Sequence, residues 1–223
     1  MKFDFILLDL DGTLTNPVEG ITKSINYSLE KMGKPLVPDS LIPKFIGPPL
    51  RTGYMQNLGF TEEEAEHALE FYRERYMPVG LYENELIEGA RELLERLSAA
   101  GKIIAMATSK PEKMAVTLME HFGLLKYFDF ISAASMEAGG RHEKDEIIQH
   151  ALEKLCIDTP EKLAQTVMVG DRFYDIVGAK NTKVASIAVL SGFGSREEFE
   201  KYEADYIAVN LFDACEIILQ ATT

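Results

Sequence analysis

Asp9-Leu10-Asp11-Gly12-Thr13 places two carboxylates two residues apart, directly after Phe3–Leu8, an apolar run broken only by Asp4. Such a run reads as a buried strand of a parallel sheet. Ligands of open α/β sheets gather at the carboxyl ends of their strands. Gly12 allows the chain to curl so that both acids face one point. Like charges that close are costly unless they share a cation or a proton. A solvated acidic turn would use the same residues without chemistry. Gly170-Asp171-Arg172-Phe173-Tyr174-Asp175 repeats the arrangement after a second apolar run, Thr166–Val169. Asp171 and Asp175 are four apart, which predicts one shared face of an opening helical turn. Helix capping by Asp171 is the competing use, and it leaves Asp175 without a role. Together the two segments predict four carboxylates on one rim. Hard oxygen donors suit Mg²⁺, and the lack of a nearby His or Cys argues against zinc.

Two weaker signals lie between them. Thr108-Ser109-Lys110 ends the apolar stretch Lys102–Ala107, and Pro111 follows. A hydroxyl there can touch a phosphate oxygen or simply cap the next helix. Arg141-His142-Glu143-Lys144 precedes a helical pattern from Asp145. Either cation could balance the carboxylates, or the run could be a solvated helix start. His67, His121, His142 and His150 form no pattern that suggests catalysis.

The elements that must position these residues alternate in the α/β manner. Helices are expected over Glu88–Ala100, Pro111–Phe122, Asp145–Leu155 and Tyr174–Lys180, with a last one around Cys215. Strands are expected over Lys102–Ala107, Phe128–Ser132, Thr166–Val169, Val184–Val189 and Asp205–Val209. The stretch from about Thr15 to Glu85 breaks the alternation and shows no convincing strand. Ile21, Ile25, Leu29 and Met32 recur at helical spacing, and Thr61 with Glu64 forms a capping box ahead of Ala65, Leu69, Tyr72 and Tyr76. The fold class expected is an α/β core with a parallel sheet and a small α-helical cap domain inserted after the first strand. The core takes 1–15 and 86–223, and the cap takes 16–85.

The net charge of −13 over 223 residues disfavours nucleic acid and anionic lipid as partners. An anionic substrate would need a local cation beside the acids. Cys156 and Cys215 belong to no metal or redox motif and read as two reduced, buried thiols. The N-terminal apolar run is too short for a signal peptide, and no stretch approaches a membrane span. A cytoplasmic location is expected.

The four segments, in order, resemble the motifs of the haloacid dehalogenase superfamily, whose core is a Rossmann-like sheet: DLDGT at Asp9–Thr13, Thr108-Ser109-Lys110-Pro111, a basic residue near Lys144, and GDRFYD at Gly170–Asp175. The resemblance implies that Asp9 is a nucleophile for phosphoryl groups and Asp11 the general acid and base. It implies that Thr108 holds a phosphoryl oxygen and that Lys144 steadies the charge. Gly12, Thr13, Ser109, Lys110 and Arg141 fall within or beside the motifs as candidate substrate contacts. Mg²⁺ would bind Asp9, the backbone carbonyl of Asp11, and Asp171, with Asp175 in support. Asp11 favours phosphoryl transfer over dehalogenation, because an alkoxide leaving group needs an acid. The third motif departs from the usual Lys-Pro. Gapless counting puts Arg141 at the lysine place, but the compact ammonium of Lys144 suits a close approach to a carboxylate better.

The helical insert resembles that of the phosphoglycolate phosphatase-like group, and Phe45-Ile46-Gly47-Pro48-Pro49-Leu50-Arg51 looks like its cap loop. Arg51 could reach the distal part of a substrate there, or be a surface residue. The function expected is Mg²⁺-dependent hydrolysis of a small phosphate monoester, such as phosphoglycolate or a nucleoside monophosphate, through an aspartyl phosphate. A phosphomutase and a non-catalytic phosphate- or metal-binding module are the alternatives. The partner expected is a small phosphorylated metabolite, and the chain a monomer or homodimer.

Overall fold

The computed structural model describes residues 3–48, 50–135 and 140–220. Pro49 of the loop Phe45–Arg51, and the outermost residues of the expected core segments, lie outside the described residues. The chain divides into two compact units, Met1–Thr15 with Leu86–Thr223, and Asn16–Glu85.

The first unit is built on a six-stranded sheet in the order β5-β4-β1-β6-β7-β8. Its strands are β1 (Phe5–Leu8), β4 (Ile103–Pro111), β5 (Phe130–Ala134), β6 (Thr166–Gly170), β7 (Ala185–Val189) and β8 (Tyr206–Ala208). Every pairing is parallel. β1 is central, with Leu8 opposite Met106 of β4 on one side and Val169 of β6 on the other. The chain reverses its winding about β1, which makes its carboxyl end a natural ligand crevice. Helices connect the strands: α4 (Ala90–Ala99), α5 (Glu112–His121), α6 (Lys144–Lys154), α7 (Pro160–Ala164), α8 (Phe173–Thr182), α9 (Arg196–Lys201) and α10 (Leu211–Gln220).

β6 is buried along its whole length because helices cover both faces of a parallel sheet. Ile147, Ile148, Ala151 and Leu152 of α6, with Ala179 of α8, pack on Leu7, Ala105, Ala107 and Met168 of the sheet. Full burial of an Ile or Leu side chain stabilises by about 1.5–3 kcal/mol, so this layer fixes α6 firmly over β4 and β5.

The second unit contains α1 (Val18–Lys31), α2 (Leu50–Leu58) and α3 (Glu62–Arg75). α1 buries Ile21, Ile25 and Leu29. α3 starts with the Thr61–Glu64 capping box and buries Ala65, Leu69 and Tyr72. Tyr54 is fully buried. Its hydroxyl lies 2.7 Å from Ser28 Oγ, and its ring meets those of Phe45 and Phe60. A Cβ on Gly20 would fall 1.9 Å from the carbonyl oxygen of Gly80. Gly20→Ala is therefore expected to destabilise this unit by about 1–3 kcal/mol, read as an earlier denaturant midpoint.

Some details differ from expectation. Two-residue strands, β2 (Thr15–Asn16) and β3 (Glu85–Leu86), pair with each other where the sequence shows no strand. A 3₁₀ stretch, Asp39–Phe45, and helix α2 had no periodic signal; α2 buries only Gly53 and Tyr54. β4 runs on through Thr108, Ser109 and Lys110 to Pro111 instead of ending at Ala107, with a register shift against β5 after Thr108. Cys156 is exposed, contrary to the expectation of two buried thiols, because it sits in the left-handed turn that ends α6. Cys215 is buried. Among the described residues, no helix is long and apolar enough to cross a membrane.

Candidate active site

The carboxyl end of β1 curls tightly. Leu10 O accepts the amides of Thr13, Leu14 and Thr15, and Gly12 adopts φ 93°. This left-handed conformation suits glycine alone among ordinary residues. Asp9 is tied to the neighbouring strand end by its amide, which donates to Val169 O at 2.9 Å. The β1 and β6 tips therefore meet.

Lys144, the first residue of α6, lies in the middle of the site. Its Nζ stands 2.9 Å from Asp9 Oδ1, 2.8 Å from Asp175 Oδ1 and 3.0 Å from Ala107 O. Asp171 is completely buried. It accepts the Phe193 amide at Oδ2 (2.8 Å) and the Thr13 hydroxyl at Oδ1 (3.3 Å). Asp175 Oδ2 accepts the Arg172 amide at 3.1 Å and so caps α8. One carboxylate oxygen from each of Asp9, Asp171 and Asp175 lies within 4.8 Å of the other two. Asp11 is held elsewhere: its Oδ2 is 2.7 Å from Lys110 Nζ, and its Oδ1 accepts the Thr15 hydroxyl at 3.3 Å. Thr108 Oγ1 accepts the Lys110 amide at 3.1 Å.

Burial raises the pKa of Asp171 well above the usual carboxylate range, and the charges of Asp175 and Asp9 add to this. Burial also pushes Asp175 up, to about 6, against the opposing pull of Lys144. For Lys144, burial lowers the pKa, but Asp175 and Asp9 outweigh it and the net shift is upward. Ionising all three converging acids beside one ammonium leaves surplus negative charge in a dry place, which is why burial holds the pKa values of Asp171 and Asp175 up. That surplus and the all-oxygen donor set fit a hard cation.

Several sequence readings change here. The expected four converging carboxylates are three, because the Asp11 side chain turns to Lys110. Asp171 does not cap α8. The cap residue is Arg172 and the accepting side chain is Asp175, so Asp171 and Asp175 do not share one helical turn. Thr108 does not cap α5, whose cap is Pro111. Ser109 is half-buried on β4. Among the described residues, Arg141 pairs with none of these carboxylates, and its Nε is buried without a hydrogen-bond partner. Arg51 lies in α2 of the second unit and forms ion pairs with Glu62 and Glu66. The Gly192-Phe193-Gly194 loop also meets Asp171, through the Phe193 amide. Its two glycines after the strand ending at Val189 are a turn signal, but nothing in them points at Asp171.

The chain matches the haloacid dehalogenase-like hydrolase family over residues 6–189. It is 39% identical over 213 residues to a 5'-nucleotidase of Pseudomonas aeruginosa, covering 95% of this chain and 93% of that one. It is 37% identical over 197 residues to the tyrosine-protein kinase PtkA of Mycobacterium tuberculosis, covering 88% of this chain and 65% of that protein. The crystal structure of a predicted phosphatase from Clostridium acetobutylicum superposes with a TM-score of 0.89 at 38% identity, covering 99% of this chain and all of the other. The match over most of the chain, together with strand-end carboxylates gathered around a buried lysine, shows that this protein belongs to the haloacid dehalogenase-like hydrolase family.

Proposed function

We propose that the chain hydrolyses a small phosphate monoester with Mg²⁺, carrying the phosphoryl group on Asp9 between two half-reactions. The observation behind this reading is the Lys144 ammonium between Asp9 and Asp175, with Asp171 completing the buried group of three carboxylates. The three converging carboxylates (Asp9, Asp171, Asp175), once ionised, leave two negative charges against the Lys144 ammonium. One divalent ion balances them. Asp9, Asp171 and Asp175 would hold or support it, joined by the Asp11 carbonyl on the family resemblance.

Bound there, Mg²⁺ would shield the phosphate from the anionic nucleophile and stabilise the charge in transfer. In the first half-reaction an Asp9 oxygen bonds to phosphorus, the bond to the leaving oxygen breaks, and Asp11 gives that oxygen a proton. In the second, water attacks phosphorus and passes its proton to Asp11, which frees inorganic phosphate and the Asp9 carboxylate. Two easier steps replace one very slow one. Lys144 offsets charge on Asp9 throughout. Thr108 Oγ1 already accepts the Lys110 amide, which leaves its O–H to donate to a phosphoryl oxygen. Gly12, Thr13, Ser109 and Lys110 belong to the same strand ends.

The Asn16–Glu85 unit is proposed as the cap that selects the substrate. A role for Arg51 in binding requires it to exchange Glu62 and Glu66 for the substrate anion. The name of the Pseudomonas relative favours a nucleoside 5'-monophosphate over phosphoglycolate. Screening phosphorylated metabolites tests this. Inorganic phosphate release is expected with Mg²⁺, should stop on chelation and should return when Mg²⁺ is restored. Release that ignores chelation, or phosphate passed to an added hydroxyl acceptor in place of water, sinks the reading.

A further inference from the structure

The Asp171 carboxylate is enclosed by backbone on two sides. A Cβ on Gly192 would lie 2.4 Å from Asp171 Oδ2 and 2.4 Å from the Gly12 carbonyl oxygen. One on Gly194 would lie 2.3 Å from the Asp171 carbonyl oxygen, and one on Gly12 would lie 2.3 Å from Asp171 Oδ2. Neither Gly192 nor Gly194 has a positive φ. What demands glycine at both is therefore closeness to Asp171 and its neighbours rather than a left-handed backbone. Between them the Phe193 amide donates to Oδ2 at 2.8 Å while the Thr13 hydroxyl holds Oδ1. A donor on each oxygen fixes the plane of the carboxylate.

The loop is also anchored at its far end. Ser195 caps α9 through the Glu198 amide, and Glu198 Oε1 accepts the Phe173 amide at 2.9 Å, the first residue of α8. The loop is thereby tied to the helix that carries Asp175. We propose that Gly192-Phe193-Gly194 is a backbone clamp that presents Asp171 to the divalent ion, with the Phe193 N–H as its positioning group. This rests on the reading of Asp9, Asp171 and Asp175 as a Mg²⁺ site. Donors that orient a metal-binding carboxylate commonly govern affinity by 10- to 100-fold when removed.

Calorimetric titration of Mg²⁺ alone into the metal-free protein tests the clamp without any turnover. Gly192→Ala is expected to weaken Mg²⁺ binding by roughly 10- to 100-fold, with a lower metal-free melting temperature because its Cβ meets the Gly12 carbonyl oxygen. Ser191→Ala, exposed on the same loop, is expected to bind as the parent does. Exchanging the Phe193 amide for an ester deletes only the N–H, and it decides the matter should Gly192→Ala fail to fold; about 10-fold weaker binding is expected. If the folded variants bind Mg²⁺ as tightly as the parent, the clamp is wrong and the metal site stands. If the parent itself takes up no Mg²⁺, the metal site falls and the clamp falls with it.

Discussion

Asp9→Asn is expected to lower Mg²⁺-dependent phosphate release by roughly 10³-fold or more, since the loss of a nucleophile removes the covalent route altogether. The change is nearly isosteric. An amide oxygen can still accept from Lys144, and the Asp9 backbone amide keeps its bond to Val169 O. The fold should therefore survive, and the loss should be chemical. Turnover assays beside a thermal melt separate the two. A folded variant that releases phosphate undiminished would end the proposal that Asp9 carries the phosphoryl group.

Lys144→Ala carries the second large effect, and it acts on stability and on turnover together. The ammonium is nearly buried, with 6% of its side chain exposed, and serves two acids that are 12% (Asp9) and 4% (Asp175) exposed. Removing one partner of a buried ion pair typically costs about 3–5 kcal/mol, because the remaining charge is stranded. Lys144→Ala is expected to unfold at clearly lower denaturant and to lose most turnover. Arg141→Ala is expected to keep most of its activity, since Arg141 pairs with none of the carboxylates among the described residues. Should only the Arg141 change abolish turnover, the assignment of Lys144 is wrong.

The parts of the molecule legible in the sequence are those set by local pattern. Phe5–Leu8 and Thr166–Gly170 are apolar runs ending at Asp or Gly, and they became the adjacent strands β1 and β6. The capping box at Thr61 is a local signature and formed as such. Ser195 with Glu198, and Thr159 before Pro160, are comparable local start signals, for α9 and α7. Other features depend on tertiary approach. Asp11 turns to Lys110 across a distance of 99 residues in sequence. The clamp on Asp171 exists only because the chain after β7 returns to β1. The α2 helix lacks an apolar stripe, so periodicity could not reveal it.

Asp175 shows how closely this site is joined to its scaffold. One of its oxygens accepts the backbone amide of Arg172, the residue that caps α8, and the other faces the Lys144 ammonium. A Cβ on Gly170 would fall within 2.1 Å of the same carboxylate. Structural and chemical duties thus share a single side chain. Its replacement by Ala would confound helix fraying with lost chemistry, whereas Asn would keep an oxygen for the Arg172 amide and lose both the charge and the acceptor that faces Lys144. A substitution at this position must rebuild the start of a helix and the electrostatics of the pocket in one move.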